Sequence, residues 1–158
     1  MDYQLETKEA FSLAAIGFSL QSDLSDMNAV IAEKTAFYKK LAQDGTLDAL
    51  KQSATDDLEW SVNEVYQNKA WNYRAISTSE PLEIATRMVE FPAGYYITVS
   101  GTSENAEELF DQLTYKAFGE ILPHITDYAY VGGPNATWRK DNGDGTYSGQ
   151  FIVPVVKQ

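Results

Sequence analysis

The hydrophobic positions change period several times along the chain, and each change marks an element. Ala10 to Leu20 (AFSLAAIGFSL) is an apolar run too short for a free-standing helix and reads as a buried strand. Ser22, Asp23 and Ser25 follow as candidate N-caps. From there Met27, Val30, Ile31, Lys34, Phe37, Tyr38 and Leu41 fall on one stripe of a helix of about five turns, which Gly45 ends. Thr46 to Gln52 adds a short helical piece. Leu58 to Tyr66 alternates, with Leu58, Trp60, Val62, Glu64 and Tyr66 on one face and Glu59, Ser61, Asn63 and Val65 on the other. A Gln-Asn-Lys-Ala turn then leads into a strand from Trp71 to Ile76, completing a hairpin.

The second half repeats the order. Leu82 to Phe91 and Tyr95 to Ser100 read as strands around the turn Pro92-Ala93-Gly94. Ala106, Phe110, Leu113 and Ala117 mark a helix from about Asn105 to Ile121, followed by Pro123. Tyr128 to Val131 leads into the loop Gly132-Gly133-Pro134. Strands at Ala136 to Lys140 and Thr146 to Val155 flank Asp-Asn-Gly-Asp-Gly, whose glycines supply the positive φ a hairpin turn needs. The string resembles a calcium loop but fails that test, because Gly143 and Gly145 fall where oxygen ligands belong and Ile152 where the bidentate acid belongs. The element order predicts an α+β fold in which a strand-helix-strand-strand module occurs twice with pseudo-two-fold symmetry, built of antiparallel sheets and two main helices. It forms one domain whose repeat halves, residues 1–78 and 82–158, meet at Ser77 to Pro81.

Composition removes several classes of function. The formal charge is −11 with acids in both halves, a solvated surface that disfavours nucleic acid as a partner. There is no cysteine, so no disulfide framework and no thiolate metal site. No apolar run reaches the ~20 residues of a membrane span, and the N-terminus carries no signal pattern, which together predict a cytoplasmic protein. The single histidine, His124, follows Pro123 at a helix end and reads as a cap or surface residue; no triad, phosphate loop or other cofactor site accompanies it. The expectation is a protein without cofactor or metal.

Aromatic and acidic residues remain as candidate chemistry. The chain has three Trp, ten Tyr and seven Phe, and Trp60, Tyr66, Tyr73, Tyr96 and Trp138 fall on strands where they could wall an apolar pocket or line a core. Glu64 shares a face with Trp60, Val62 and Tyr66, where an unpaired carboxylate costs several kcal/mol. It reaches solvent at the hairpin end, pairs with Arg74, or serves as the counter-charge of a cationic ligand.

From Leu82 to Lys157 the Pro-Ala-Gly turn, the short strand, the helix with Leu-Phe near its start, the Gly-Gly-Pro loop and the closing Ile152-Val153-Pro154-Val155 resemble the effector-binding domain of AraC-type and MerR-type regulators. That domain is also called gyrase-inhibitor-like, and its stand-alone form is similar to integron-cassette effector-binding proteins. The resemblance implies two modules around a central cleft beneath the helices, and a pocket that Gln150 and Ile152 face from the last strand. Gln150 stands where relatives often carry a glutamate, which counts against both cation binding and hydrolysis. The function implied is binding of an apolar or cationic small organic ligand, for drug sequestration or transcriptional regulation through a separate regulator. The alternatives are a hydrolase of strained, cyclopropane-containing compounds and a module that docks on gyrase. No membrane partner is expected, and no residues are left over for a helix-turn-helix unit.

Overall fold

A computed structural model describes residues 3–130 and 132–158; the predicted end of the Tyr128 to Val131 segment, Val131, lies outside them. The strands are β1 (Gln4–Lys8), β2 (Phe11–Ser19), β3 (Glu59–Tyr66), β4 (Lys69–Ile76), β5 (Arg87–Phe91), β6 (Gly94–Ser103), β7 (Tyr128–Ala129), β8 (Asn135–Asp141) and β9 (Tyr147–Lys157). The helices are α1 (Met27–Gln43), α2 (Thr46–Gln52) and α3 (Ala106–Tyr115), the last continuing through a wider π turn, Lys116–Ile121, into one 3₁₀ turn at Pro123. Local chemistry sets the boundaries. Asp26 accepts from the Ala29 N–H at the start of α1, Asn105 accepts from Glu107 and Glu108 at the start of α3, and Gly45 separates α1 from α2 with φ of 81°.

The strand order is β1-β6-β9-β8-β3-β4-β2-β5, every neighbouring pair antiparallel, with β7 added on β9. Reversed, the same list exchanges β1 with β5, β2 with β6, β3 with β8 and β4 with β9, so a pseudo-two-fold axis passes between β3 and β8. The expected α+β fold with a doubled strand-helix-strand-strand module is present as β2-α1-β3-β4 and β6-α3-β8-β9. Three details differ from expectation. Gln4–Lys8 forms β1, an edge strand too short and too polar to show a period. The strand expected from Leu82 begins only at Arg87, because Leu82 to Thr86 turns on itself through Ala85 N–H to Leu82 O. The antiparallel sheets expected of the two modules are one continuous sheet.

That sheet must curl. The link between β1 and β2 is only Glu9-Ala10, and that between β5 and β6 only Pro92-Ala93, yet each joins strands near opposite ends of the order. The curl closes around one face, where Phe11, Leu13, Trp60, Val62, Tyr73, Val89, Phe91, Tyr96 and Ile152 form an aromatic core. Phe11 stacks on Phe91 at 4.7 Å and touches Trp60 and Tyr96 from across the interior. The helices lie on the outer face: α3 covers Ile97, Val99, Phe151 and Val153, while α1 and α2 cover Ala14, Ile16 and Ile76. Gly101 and Gly149 let α3 sit close, since a β-carbon on either would come within 3.0 Å of Leu113 or Leu109. At the β3–β4 hairpin Gln67 and Asn68 both take positive φ, 53° and 64°, the two-residue turn whose twist matches the strands.

Candidate ligand cleft

Between α1 and α3, over the pseudo-two-fold axis, the outer face of the sheet is polar. Its floor is the cross-strand pairs Glu59–Arg139, Ser61–Thr137 and Asn63–Asn135 of β3 and β8, flanked by Asn72 and Arg74 of β4. These side chains share a face because they share strand parity. Asn72, Arg74, Asn135, Thr137 and Arg139 are all buried. A buried polar group needs a partner, and most here have one. Asn63 donates to Asn135 Oδ1 (3.1 Å), and Asn72 donates to Asn63 Oδ1 (2.9 Å) and the Val62 carbonyl (3.2 Å).

Two guanidinium groups occupy the centre. Arg74 Nη2 lies 2.6 Å from Glu107 Oε2, and Arg139 Nη2 lies 3.1 Å from Glu59 Oε2 while its Nη1 donates to the Ala106 carbonyl at 2.7 Å. Cross contacts at 3.5–3.6 Å, Arg139 to Glu107 and Arg74 to Glu59, close a four-membered charge network. Rings from both helices sandwich it: Arg74 lies 4.2 Å from the Tyr38 ring of α1 and 4.7 Å from the Phe110 ring of α3, and Arg139 lies 4.4 Å from Phe110. The arginines therefore tie the helices together. Burial pushes the Glu59 carboxyl up, but the fields of Arg139, Lys51 and Arg74 outweigh it and hold the group below the ordinary carboxylate range.

The cleft opens at both ends of this plug. One mouth, a cavity of about 400 Å³, is bordered by Tyr38, Leu58, Glu59, Arg139 and Tyr147 under the start of α3. The other, about 230 Å³ at the start of α1, is bordered by Leu24, Met27, Val30, Lys34, Phe118 and Asn135. Lys34 of α1 borders the smaller mouth, and Asp111 of α3 acts on its charge. Burial lowers the pKa of the lysine and raises that of the aspartate, and each shift is offset in part by the field of the other group.

The eight residues expected to line a pocket share one face, but it is the interior of the curled sheet. Trp60, Tyr73, Tyr96 and Ile152 are core, with Trp138 packed against them. Trp60, Trp138 and Gln150 form one cross-strand row, and the Gln150 amide donates to Ser100 Oγ at 3.3 Å. Glu64 lies four residues along β3 from that row, with Tyr66 beyond it, so carboxylate and amide are not brought together. Of the three readings of Glu64, none is complete. Its carboxylate is buried, accepts from Tyr73 Oη (2.8 Å), and is paired with Arg87 Nε (2.7 Å) and Nη2 (2.9 Å), Arg74 being engaged elsewhere. The Arg87 guanidinium lies 3.9 Å from the Tyr66 ring centroid, so the chain's own cation fills this aromatic box. Burial, then the bond to Glu64, pushes the Tyr73 phenol up, and burial pushes Tyr96 up to about 12.

Sequence reasoning passed over Glu107, Arg139 and Asp111, offered Arg74 only as a partner for Glu64, and placed Glu59 on the second face of its strand without a role. The available signal was the second face of β3, where Glu59, Ser61 and Asn63 alternate beneath a helix whose stripe includes Lys34 and Tyr38. A polar strand face under an amphipathic helix is itself a cleft signature.

The duplicated α+β fold is shared with several solved proteins. SAV2435 bound to tetraphenylphosphonium matches with a TM-score of 0.78 at 14% identity over 99% of this chain and 94% of that one. A putative transcription regulation protein from Staphylococcus aureus MU50 matches at 0.74, also 14% identical, over 98% of each chain. An integron cassette protein of Vibrio cholerae matches at 0.65 and 14% over 98% and 95%. Such low identity speaks to the fold alone. The family follows from the sequence: residues 4–155 match the model of the Cass2 family, integron-associated effector binding proteins, and the chain belongs to that family. No curated protein matches it. Among the described residues no helix is long and apolar enough to cross a membrane.

Proposed function

We propose that this protein binds a small, largely apolar organic effector in the cleft between α1 and α3, either sequestering it or presenting the bound state to a separately encoded regulator. The observation that carries this reading is the cleft itself. Buried charge, a polar mouth and a largely apolar one meet beneath α1, a helix that buries only Val30 and Leu41 and is therefore able to yield to a guest. The match to effector-binding proteins and the fold shared with a drug-bound protein support it. Hydrolysis needs a carboxylate free to activate water; Glu59 and Glu107 are held by guanidinium groups, which leaves Asp111 to carry that reading.

The test is a thermal-shift screen of apolar compounds that includes tetraphenylphosphonium, followed by titration of the hits into Tyr38→Ala and Phe110→Ala. A ligand at about a hundred times its dissociation constant adds roughly 2.7 kcal/mol of stability. At least one compound should raise the melting temperature of the wild type and lose affinity in both variants. A screen without hits, or hits indifferent to both substitutions, overturns the reading.

A further inference from the structure

One lysine stands where the repeated module otherwise places a core residue. Lys34 lies eight residues beyond Asp26, the N-cap of α1; eight residues beyond Asn105, the N-cap of α3, stands Leu113, 4% exposed and close against Gly101. An ammonium in an apolar stripe costs stability, and positions that break the pattern of a fold at such a cost are where function is to be sought.

Lys34 borders the 230 Å³ mouth, is half-buried, and among the described residues takes part in no ion pair. Asp111 of α3 stands against it. Burial lowers the pKa of the lysine by more than Asp111 raises it, and the field of Arg74 adds to the lowering, so more of this amine is free base than of an exposed lysine. Burial also holds the Asp111 carboxyl above its usual range, so more of it keeps a proton. A nucleophilic amine with a proton donor against it is the combination that condensation with a carbonyl needs. The walls suit an apolar guest: Leu24, Met27, Val65 and Phe118 border the same mouth and are all exposed, a patch that monomeric surfaces seldom carry without use.

Resting on the cleft as the effector site and going beyond simple binding, we propose that this mouth captures a small apolar aldehyde as an imine on Lys34, with Asp111 as proton donor and Leu24, Met27, Val65 and Phe118 around the aryl or alkyl body. The Nζ lone pair attacks the carbonyl carbon, the C–N bond forms, and the carbonyl π pair moves to oxygen. One N–H proton passes to that oxygen, giving a carbinolamine. Asp111 then protonates the hydroxyl, the C–O bond breaks with its electron pair leaving in water, and the nitrogen lone pair closes the C=N bond. The products are water and an iminium ion, whose charge is met by the Asp111 carboxylate just formed. Nothing is oxidised or reduced. The cavity is smaller than the roughly 300–1,000 Å³ of drug-sized sites, so a guest of about a dozen non-hydrogen atoms fits it.

The experiment incubates the full chain with 4-isopropylbenzaldehyde or with 4-formylbenzoate, whose charge is unsuited to the apolar walls. Cyanoborohydride reduces each imine to a stable secondary amine, and peptide mass mapping follows the label at all nine lysines. With the apolar aldehyde, Lys34 should be labelled at least about tenfold faster than any other lysine, and with 4-formylbenzoate that preference should shrink to about twofold. Asp111→Asn should slow labelling of Lys34 at least about tenfold, general acid catalysis contributing about 10²–10⁴-fold, and Asp111→Glu should restore most of the rate. Were Asp111 only a field on the lysine, its removal would free more amine and speed the reaction. Label spread evenly over the lysines, an equal preference with both aldehydes, or a Lys34 rate unchanged or raised in Asp111→Asn overturns the proposal. If tetraphenylphosphonium binds in a Tyr38- and Phe110-dependent way while Lys34 is labelled no faster than the other lysines, the imine proposal fails and the cleft reading stands. If no compound of the screen binds and Lys34 is not preferred, both fail.

Discussion

The two helices of the repeat are built from the same module and packed to different standards. Along α3 and its π turn, Leu109, Leu113, Ala117 and Ile121 are buried against β6 and β9, Phe110 is buried over the cleft arginines, and Gly101 and Gly149 remove the side chains that would hold the helix off. Along α1, nearly twice as long as α3, only Val30 and Leu41 are buried, Met27 and Ile31 are exposed, and a lysine interrupts the stripe. Close packing fixes one wall of the cleft and loose packing leaves the other adjustable. Duplication thus supplies a closely packed helix and a loosely packed one, and the proposed site lies between them.

The strongest way to break this comparison is to remove the charge that ties the helices. Glu59→Gln leaves Arg74 and Arg139 buried with half their compensation and should cost about 3–5 kcal/mol, or roughly 10 °C in melting temperature for a chain of this size. The sign with pH follows from the same residue. Its folded pKa lies below the ordinary 4.5, so it contributes stability above pH 4.5 that is lost as pH falls through the folded value. The variant's stability should therefore depend less on pH below 4.5 than the wild type's, which denaturant titration at several pH values would show.

Truncations of the two helices sharpen the contrast next. Leu109→Ala, at a site 1% exposed, should cost about 3 kcal/mol. Ile31→Ala on α1, 36% exposed, should cost under about 1 kcal/mol by the same denaturant measurement. Equal losses would mean that the helices are equally well packed.

The smallest effect has the opposite sign. Burial holds the folded pKa of Lys34 below 10.5, so at neutral pH its charge is a liability, and stability recovers as pH rises from that lowered value toward 10.5. Lys34→Met should therefore stabilise the protein by up to about 1 kcal/mol at pH 7, with the advantage shrinking toward pH 10.

Much of the fold was legible because its signals are local: the stripes of α1 and α3, the alternation of β3, and the glycine turns at Pro92-Ala93-Gly94 and Asp141 to Gly145, where Gly143 and Gly145 do take positive φ of 80° and 91°. The short edge strand β1 was not, since its five residues form a strand only through pairing with β6, about ninety residues away. For the site, alternation showed that Trp60, Glu64 and Tyr66 share a face and that Glu59, Ser61 and Asn63 share the other. It could not show which of the two lies under the helices. The apolar face went to the interior because a curled sheet must fill its own inside, and the polar face was left for the cleft. Arg87 as the partner of Glu64 was equally out of reach, because β5 meets that region only through β2 and β4.

Hydrogen exchange with and without ligand separates the two faces directly. With tetraphenylphosphonium or another hit of the thermal-shift screen bound, peptides covering Met27–Gln43 should gain the most protection. The start of α3 should gain less, and β5 with the first half of β6, which line the interior, should be nearly unchanged. Protection concentrated in residues 87–96 with α1 unaffected would place the ligand inside the curled sheet, among Tyr96, Phe91 and their neighbours, and would contradict the cleft as the site.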